Sequence, residues 1–523
     1  MRKENTIKNI KFNLIFTVLL LVINFISRSV FIKFLGGDIA GFNTLILNLM
    51  SFLNVAELGV SIAITYSLYE PLSNNDFNKI NDIMILFKYY YIKIATVIFI
   101  LGSILGFLLR FFVKNQIPMN QAYLYYSLFL INTIIGYFFI YKQTLITADQ
   151  KQYIVVTINN TIKIVKILVQ ILLLYIIKSY LLWIAIEIIF NIINLLISNL
   201  KIKKIYPEVN FRSEKDITTI KKEYSSILKS IRDVFCHKIA SFIVYQTDGI
   251  LISFFMSLKN TAIYGNYTMI INGVLNIFNS VIGSFTASIG NLISEKDDKK
   301  SFNIFKKLYM IDHFAAIIIS FTLYYIIDEF INIWIGTGYI FDKSITFVLM
   351  INLYMQIARG TVENFKSSYG IFWDVWSPIV EGGINLVISY ILVKNIGIIG
   401  LFIGTVISNI AIVILWKPYV LYRYGFKINI KYHVYLFSNM VIKAILAFGI
   451  TSVLKNVIIN FIKINTPMNM ISFLIYSLLI CILISTVTFS LFIINKDFRI
   501  LLSDIFNSRF GVKNKFKGAF NDN

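Results

Sequence analysis

The sequence predicts an all-α integral membrane protein of about fourteen transmembrane helices, and three observations carry that prediction. Of 523 residues 57% are hydrophobic and only 15% charged, with a mean hydropathy of +0.73, more apolar than a soluble domain of this length tolerates. Apolar runs of about 20 residues recur from one end of the chain to the other, each long enough to cross a hydrocarbon core of roughly 30 Å as a helix. None of them shows the alternation of an outer-membrane barrel strand.

Taken in order, apolar stretches bounded by charges or Pro/Gly breaks fall at 13–34, 42–68, 91–113, 122–145, 152–177, 180–199, 233–257, 264–293, 308–335, 344–366, 376–394, 396–416, 436–455 and 468–495. The first follows a basic tail (Arg2, Lys3, Lys8, Lys11) but has no small-residue cleavage site, so it reads as a retained helix. With the N-terminus inside, the cytoplasmic connections hold 33 Lys and Arg and the outer ones 9, which puts both termini in the cytoplasm. The formal charge of +22 is then mostly a cytoplasmic skirt facing anionic lipid headgroups, not a nucleic-acid surface.

A repeat orders these helices. GFNTLILN at 41–48 and GNYTMIIN at 265–272 match at Gly, Thr, Ile and Asn, each at the start of a long helix, and each helix runs into a polar cytoplasmic turn, PLSNNDFNKI or ISEKDDKKSFNIF. The pattern predicts two pseudo-symmetric six-helix lobes, 1–200 and 233–420, related by an axis along the membrane normal. Between them lies a basic linker, 201–232, that turns amphipathic near its end; helices 13 and 14 (421–495) and a basic tail (496–523) that rests on headgroups follow.

Two cysteines and three dispersed histidines, His237, His313 and His433, offer no metal-ligand spacing, and no cofactor is implied. Seven basic residues fall inside predicted spans: Arg28, Lys93, Lys163, Lys166, Lys238, Arg359 and Lys443. Arg28 stands roughly 9 Å from the outer end of its helix and Lys163 on the order of 16 Å from the inner end of its own, at 1.5 Å per residue. Lys163 and Lys166 share a helical face at spacing three. A central Lys or Arg costs at least ~2.5–3.5 kcal/mol on insertion scales, so such a side chain either snorkels or faces a protein interior or wet cavity. Acidic residues in spans are Glu57, Glu187, Asp248, Glu363 and Glu381; Arg359 and Glu363, at spacing four, can form a structural pair. The first lobe carries an excess of positive charge balanced only by Glu187, which suits an anionic ligand. A diphosphate held by two or three cations gains charge-assisted hydrogen bonds of about 1.5–3 kcal/mol each.

There is no phosphate-cradling G-x-x-x-x-G-K-[ST] loop, no nucleophilic triad and no long outer loop to hold a catalytic site, which leaves transport. The run SRSVFIKFLGGDIAGFNTLILNLMSFLNVAELGVSIAITYSLYEPL resembles the opening of bacterial polysaccharide flippases, with arginine in helix 1, LG at its outer end and an AELG-type centre in helix 2. YQTDGILISFF, AIYGNYTMI, SIGNLIS and GIFWDVWSPIVEGGINLVISYILVKNIGIIGLFIGTVISN resemble later helices of the same family, in order to about residue 430.

That resemblance implies the polysaccharide branch of the multidrug/oligosaccharidyl-lipid/polysaccharide exporter superfamily: a protein of the bacterial cytoplasmic membrane that moves undecaprenyl-diphosphate-linked oligosaccharide outward by alternating access for capsule, O-antigen or exopolysaccharide assembly. It also implies a diphosphate-contacting role for Arg28, and polymerase and glycosyltransferases as partners. Depth and spacing add Lys163 and Lys166, and Arg359 completes the expected diphosphate site. Glu57, Asp248 and Glu363 are candidates for ion coupling or gating. The rival readings are a cation-coupled multidrug exporter of the same superfamily and a membrane glycosyltransferase or polymerase.

Overall fold

The structure, a computed structural model, describes residues 2–57, 60–209, 215–225, 247–283, 286–374, 376–462 and 469–509. It is helical, with no strand among the described residues, and its contacts divide the chain into two compact units. The first comprises Met1–Thr268 with Pro378–Leu386, the second Met269–Ser377 with Val387–Asn523.

The first unit opens with α1 (Arg2–Leu53), which bends at Gly36, where φ is 84°. A β-carbon disfavours that left-handed backbone, so the break between the first two predicted spans falls on a residue that lacks one. A short 3-10 turn, Asn54–Glu57, follows, then α2 (Val60–Asn74), α3 (Phe77–Val113) and α4 (Met119–Tyr137). A second 3-10 turn, Ile140–Lys142, leads into α5 (Gln143–Ala148), α6 (Gln152–Ile177), α7 (Tyr180–Ile205) and the short α8 (Ile217–Glu223). Beyond the linker come α9 (Asp248–Phe255) and the start of α10 (Leu258–Ile282).

Local signals end these helices. Asp76 caps α3 by accepting from the Lys79 amide at 3.0 Å, and Asn75 turns the chain at φ 53°. The turn after α2 is thus two residues long, because PLSN continues the helix and FNKI starts the next. Hydropathy alone assigns both polar ends to a loop. Lys178, at φ 50°, ends α6, and Ser179 caps α7, so these two helices form a tight hairpin. Phe31 of α1 packs on Trp183 of α7 at a centroid distance of 4.9 Å, and the Tyr180 hydroxyl donates to Asn43 Oδ1 at 3.1 Å.

The repeat identified in the sequence is a contact in the structure. Gly41 lies so near the start of α10 that a β-carbon there would stand 1.7 Å from the Leu258 carbonyl oxygen. Gly265 in turn abuts Thr44, so each segment's leading glycine admits the other helix.

The second unit contains the rest of α10, α11 (Thr286–Ser294), α12 (Asp298–Trp334), α13 (Lys343–Ala358), α14 (Gly360–Ser368), the end of α15 (Trp376–Ile396) and α16 (Ile398–Asn409). The last continues through π-helical turns, Ile410–Trp416 and Leu421–Phe426, on either side of α17 (Lys417–Val420). Next come α18 (Lys431–Ile462), α19 (Met470–Ile493) and α20 (Lys496–Arg509). Its core is aromatic, with Phe305 packed against Phe365, Tyr422 and Phe426 at 5.0–5.8 Å.

Among the described residues eleven helices are long and apolar enough to cross a membrane. The first two predicted spans are two helical stretches joined across the non-helical Gly36 and so counted once, the second continuing through the 3-10 turn into α2; most of 233–257 lies outside the described residues, and α10 is too polar to qualify. Large apolar side chains such as Phe107 and Ile176 lie about three-quarters exposed, as lipid-facing groups do. The chain is a multi-pass membrane protein.

Candidate functional site

The first unit holds a cavity of about 410 Å³. Its wall is built where helices interrupt or face one another. The 3-10 turn after α1 contributes Asn54 and Glu57, the end of α4 and the 3-10 turn beyond it contribute Asn132, Thr133, Gly136, Tyr137 and Ile140, and the α6–α7 hairpin supplies the rest. On α6 the residues Asn159, Lys163 and Lys166 recur at spacings of four and three, and on α7 so do Glu187, Asn191 and Asn194, so each helix turns one polar stripe to the void.

Toward the α6–α7 turn the stripes close on each other. Lys166 Nζ donates to Glu187 Oε1 at 2.5 Å, and Gln170 Nε2 donates to Glu187 Oε2 at 3.2 Å and to the Trp183 carbonyl at 3.1 Å. Farther along, the stripes separate. Lys163 makes no hydrogen bond or ion pair among the described residues, and the carbonyl oxygens of Asn159 and Asn194 are buried without a partner. Asn191 donates to Asn132 Oδ1 at 2.8 Å, the Tyr137 hydroxyl to Asn54 Oδ1 at 2.8 Å, and the Tyr91 hydroxyl to Glu57 Oε1 at 2.6 Å. The wall is amide-rich, carries both signs of charge and leaves one ammonium unmatched.

Of the predicted site residues, Lys163, Lys166 and Glu57 line this cavity and Arg28 does not. Arg28 Nε donates to Asn266 Oδ1 at 2.8 Å, Nη2 to the Ala262 carbonyl at 3.2 Å and Thr44 Oγ1 at 3.4 Å, and Nη1 to the Ala40 carbonyl at 3.5 Å. Its side chain joins α1 to the start of α10. Asp248, buried at the start of α9, accepts from Tyr264, and its Oδ1 has no partner among the described residues.

Arg359 and Glu363 belong to the second unit. Glu363 Oε1 lies 3.0 Å from Lys417 Nζ and 3.6 Å from Arg359 Nε, so one carboxylate joins two cations. Beside them Lys366 pairs with the buried Asp374, and Asp312 accepts from the Thr361 amide and hydroxyl at 2.6 Å. Arg359 also borders a void of about 20 Å³, room for one water, together with His313, Tyr354 and His433. The remaining in-span cations are dispersed: Lys93 lies over the Tyr89 ring, Lys443 over Phe492, and Lys238 is outside the described residues.

Charge-based reading thus found both lysines of the cavity but passed over its asparagines. The periodic spacing of Asn159, Asn191 and Asn194 within apolar helices was the signal for them. It also passed over Asp312 and Lys417, whose partners are distant in sequence, and over Asp374, eight residues from Lys366.

No protein-family model and no curated protein matches the sequence. Solved structures do match. The inward closed conformation of the lipid II flippase MurJ aligns with a TM-score of 0.63 at 16% identity, over 94% of this chain and 100% of that one. An inward-facing multidrug resistance MATE family transporter of the MOP superfamily aligns at 0.58 and 14% identity, over 76% of this chain and 93% of its own. The chain has the fold of the MOP superfamily transporters. A third member of that fold, a MOP superfamily transporter from Pyrococcus furiosus described by the reverse polarity of its binding pocket, aligns at 0.52 and 15% identity, over 80% of this chain and 95% of its own. The MOP fold is therefore common to a flippase and to drug transporters, and the lining of the cavity has to discriminate between them.

Proposed function

We propose that the chain is a flippase that carries undecaprenyl-diphosphate-linked oligosaccharide from the inner to the outer leaflet of the cytoplasmic membrane by alternating access, for assembly of an envelope polysaccharide. The observation that carries this reading is the amide-lined cavity with the unmatched Lys163 ammonium. Asparagine side chains offer the paired donors and acceptors that sugar hydroxyls require, and an ammonium facing the cavity without a carboxylate partner favours an anion. A lipophilic drug cation would meet like charge at Lys163 and buried amides it cannot satisfy. The lipid tail stays in the bilayer while the polar headgroup enters the cavity.

A second reading, export of a hydrophilic cation, draws on Glu57 and Glu187 in the same wall. It is less well supported, since Glu187 is occupied by Lys166 and Gln170, and Glu57 by Tyr91.

The test is Lys163→Glu in a cell that depends on the polymer, with protein abundance measured in parallel. Polymer output should fall at least about tenfold at unchanged abundance, the effect of one charge-assisted contact turned repulsive. Undiminished output would refute the reading.

A further inference from the structure

The short linker helix α8 is fixed on the polar first turns of α3. Ile220 and Tyr224 are buried in the contact. Lys215, just before α8, reaches the buried Asp82 of α3 at 3.0 Å and Glu223 at 2.7 Å, so one lysine takes both carboxylates. Two turns farther along α3 the charges no longer balance. Lys221 Nζ lies 3.7 Å from the centroid of the Tyr89 ring, and Lys93 Nζ lies 4.7 Å from the same centroid. Neither ammonium forms an ion pair among the described residues, and Asp216, the carboxylate of α8 nearest Lys221, is engaged in capping the helix. Two like charges at one ring repel, and docking of α8 holds them there. An anion placed between them relieves a repulsion that the fold has already imposed, without the cost of gathering two long side chains.

Depth and surroundings name the anion. Lys93 stands about 20 residues from the outer end of α3 at Val113, roughly 30 Å at 1.5 Å per residue, the thickness of a hydrocarbon core. With the basic linker on the cytoplasmic side, Lys93, Tyr89 and Lys221 fall at the level of the inner headgroups. From Lys93 outward the same face of α3 presents Val97, Ile100 and Ile104, each 44–53% exposed, so an apolar stripe rises from the pair of cations into the bilayer. A soluble anion leaves that stripe uncovered; a lipid covers it with an acyl chain. We propose that Lys93, Lys221 and Tyr89 form a binding site for the phosphodiester headgroup of an anionic inner-leaflet phospholipid, which bridges α3 to the linker helix. The site is selective where the basic skirt is not, because two helices place its cations on one ring. It does not depend on what the protein transports.

The test uses the purified full-length protein in nanodiscs of equal parts phosphatidylglycerol and phosphatidylcholine, with the lipids retained per protein counted by native mass spectrometry. The native protein should retain about one phosphatidylglycerol more than the Lys93→Gln/Lys221→Gln variant. Lys203→Gln/Lys204→Gln, which removes the same charge from the exposed end of α7, should retain as much as the native protein. Amide protection within Ile217–Glu223 should be about tenfold higher in phosphatidylglycerol than in phosphatidylcholine, the worth of one charge-assisted hydrogen bond, and the Lys93/Lys221 variant should lose that difference. Equal lipid loss in the two variants would reduce the site to diffuse basic attraction and overturn the inference. Release of the retained lipid by inorganic phosphate would make it a site for a free anion, and release by undecaprenyl diphosphate a site for a transported lipid; either overturns it. Should the Lys93/Lys221 variant fail to fold, the native protein decides alone, since equal protection of α8 in the two lipids refutes the bridge.

Discussion

Lys163 and Lys166 stand one turn apart on one face, yet only Lys166 is paired with a carboxylate, and that difference is why the proposed ligand contact falls on Lys163. Glu187 makes the choice, because the α6–α7 hairpin places it about one turn nearer the helix ends than Lys166 and about two turns nearer than Lys163. Arg28 illustrates the opposite case, a cation that donates to neutral oxygens of Ala40, Thr44, Ala262 and Asn266 at 2.8–3.5 Å. Arg28→Ala should therefore destabilise the protein by about 1–3 kcal/mol, seen as a lower midpoint of thermal unfolding in detergent, since it takes its donor from the buried Asn266 Oδ1. An unchanged midpoint with loss of transport would instead return Arg28 to the substrate site. The charge itself was legible in the sequence; its partner was not, because Asn266 lies 238 residues away and no periodicity links the two. Asn159 and Asn194 were legible as polar residues at helical spacing, but a reading keyed to formal charge does not see an amide.

Helices were predicted well where hydropathy marks them and poorly where polar turns extend them, as in α2, α3 and α12, whose ends protrude beyond the apolar windows. Capping residues mark those ends better than hydropathy does: Asp76 and Asp297 each accept from the amide three residues on. The contact of α1 with α10 depends on the missing side chain at Gly41, so Gly41→Val should cost about 1–3 kcal/mol or more through forced separation of the helices. Gly449→Ala in α18, where a β-carbon meets nothing within 4 Å, is the matched control and should be neutral or slightly stabilising in the same unfolding measurement. At the linker, the Thr218 hydroxyl and amide donate to Asp216, the cap of α8, and hold its carboxyl below its ordinary value of 3.8. A depressed carboxyl contributes stability above that value and loses it as pH falls through the folded-state value. Protection factors within Ile217–Glu223, with the intrinsic pH dependence of amide exchange divided out, should accordingly fall on acidification below the ordinary Asp range and be unchanged between pH 6 and 8. Asp216→Asn should remove most of that dependence.

For the whole molecule, composition alone identified a multi-pass helical membrane protein, because burying so much apolar surface in water has no solution while in lipid it needs only satisfied backbones. Substrate was not legible at this scale, since the same fold is found in a lipid II flippase and in multidrug transporters. The division into units was not legible either. Charge marks where the chain leaves the membrane, at the basic linker 201–232, whereas contacts extend the first unit to Thr268 and bring Pro378–Leu386 into it as well. Packing is therefore not collinear with the gene. If the reading frame were severed between codons 215 and 225, neither polypeptide would encode a complete core, as the upstream piece would want 248–268 and 378–386 from its sibling. Each fragment produced alone should be degraded, and the pair made together in one cell should complement, with recovery of both by affinity capture of either as the readout.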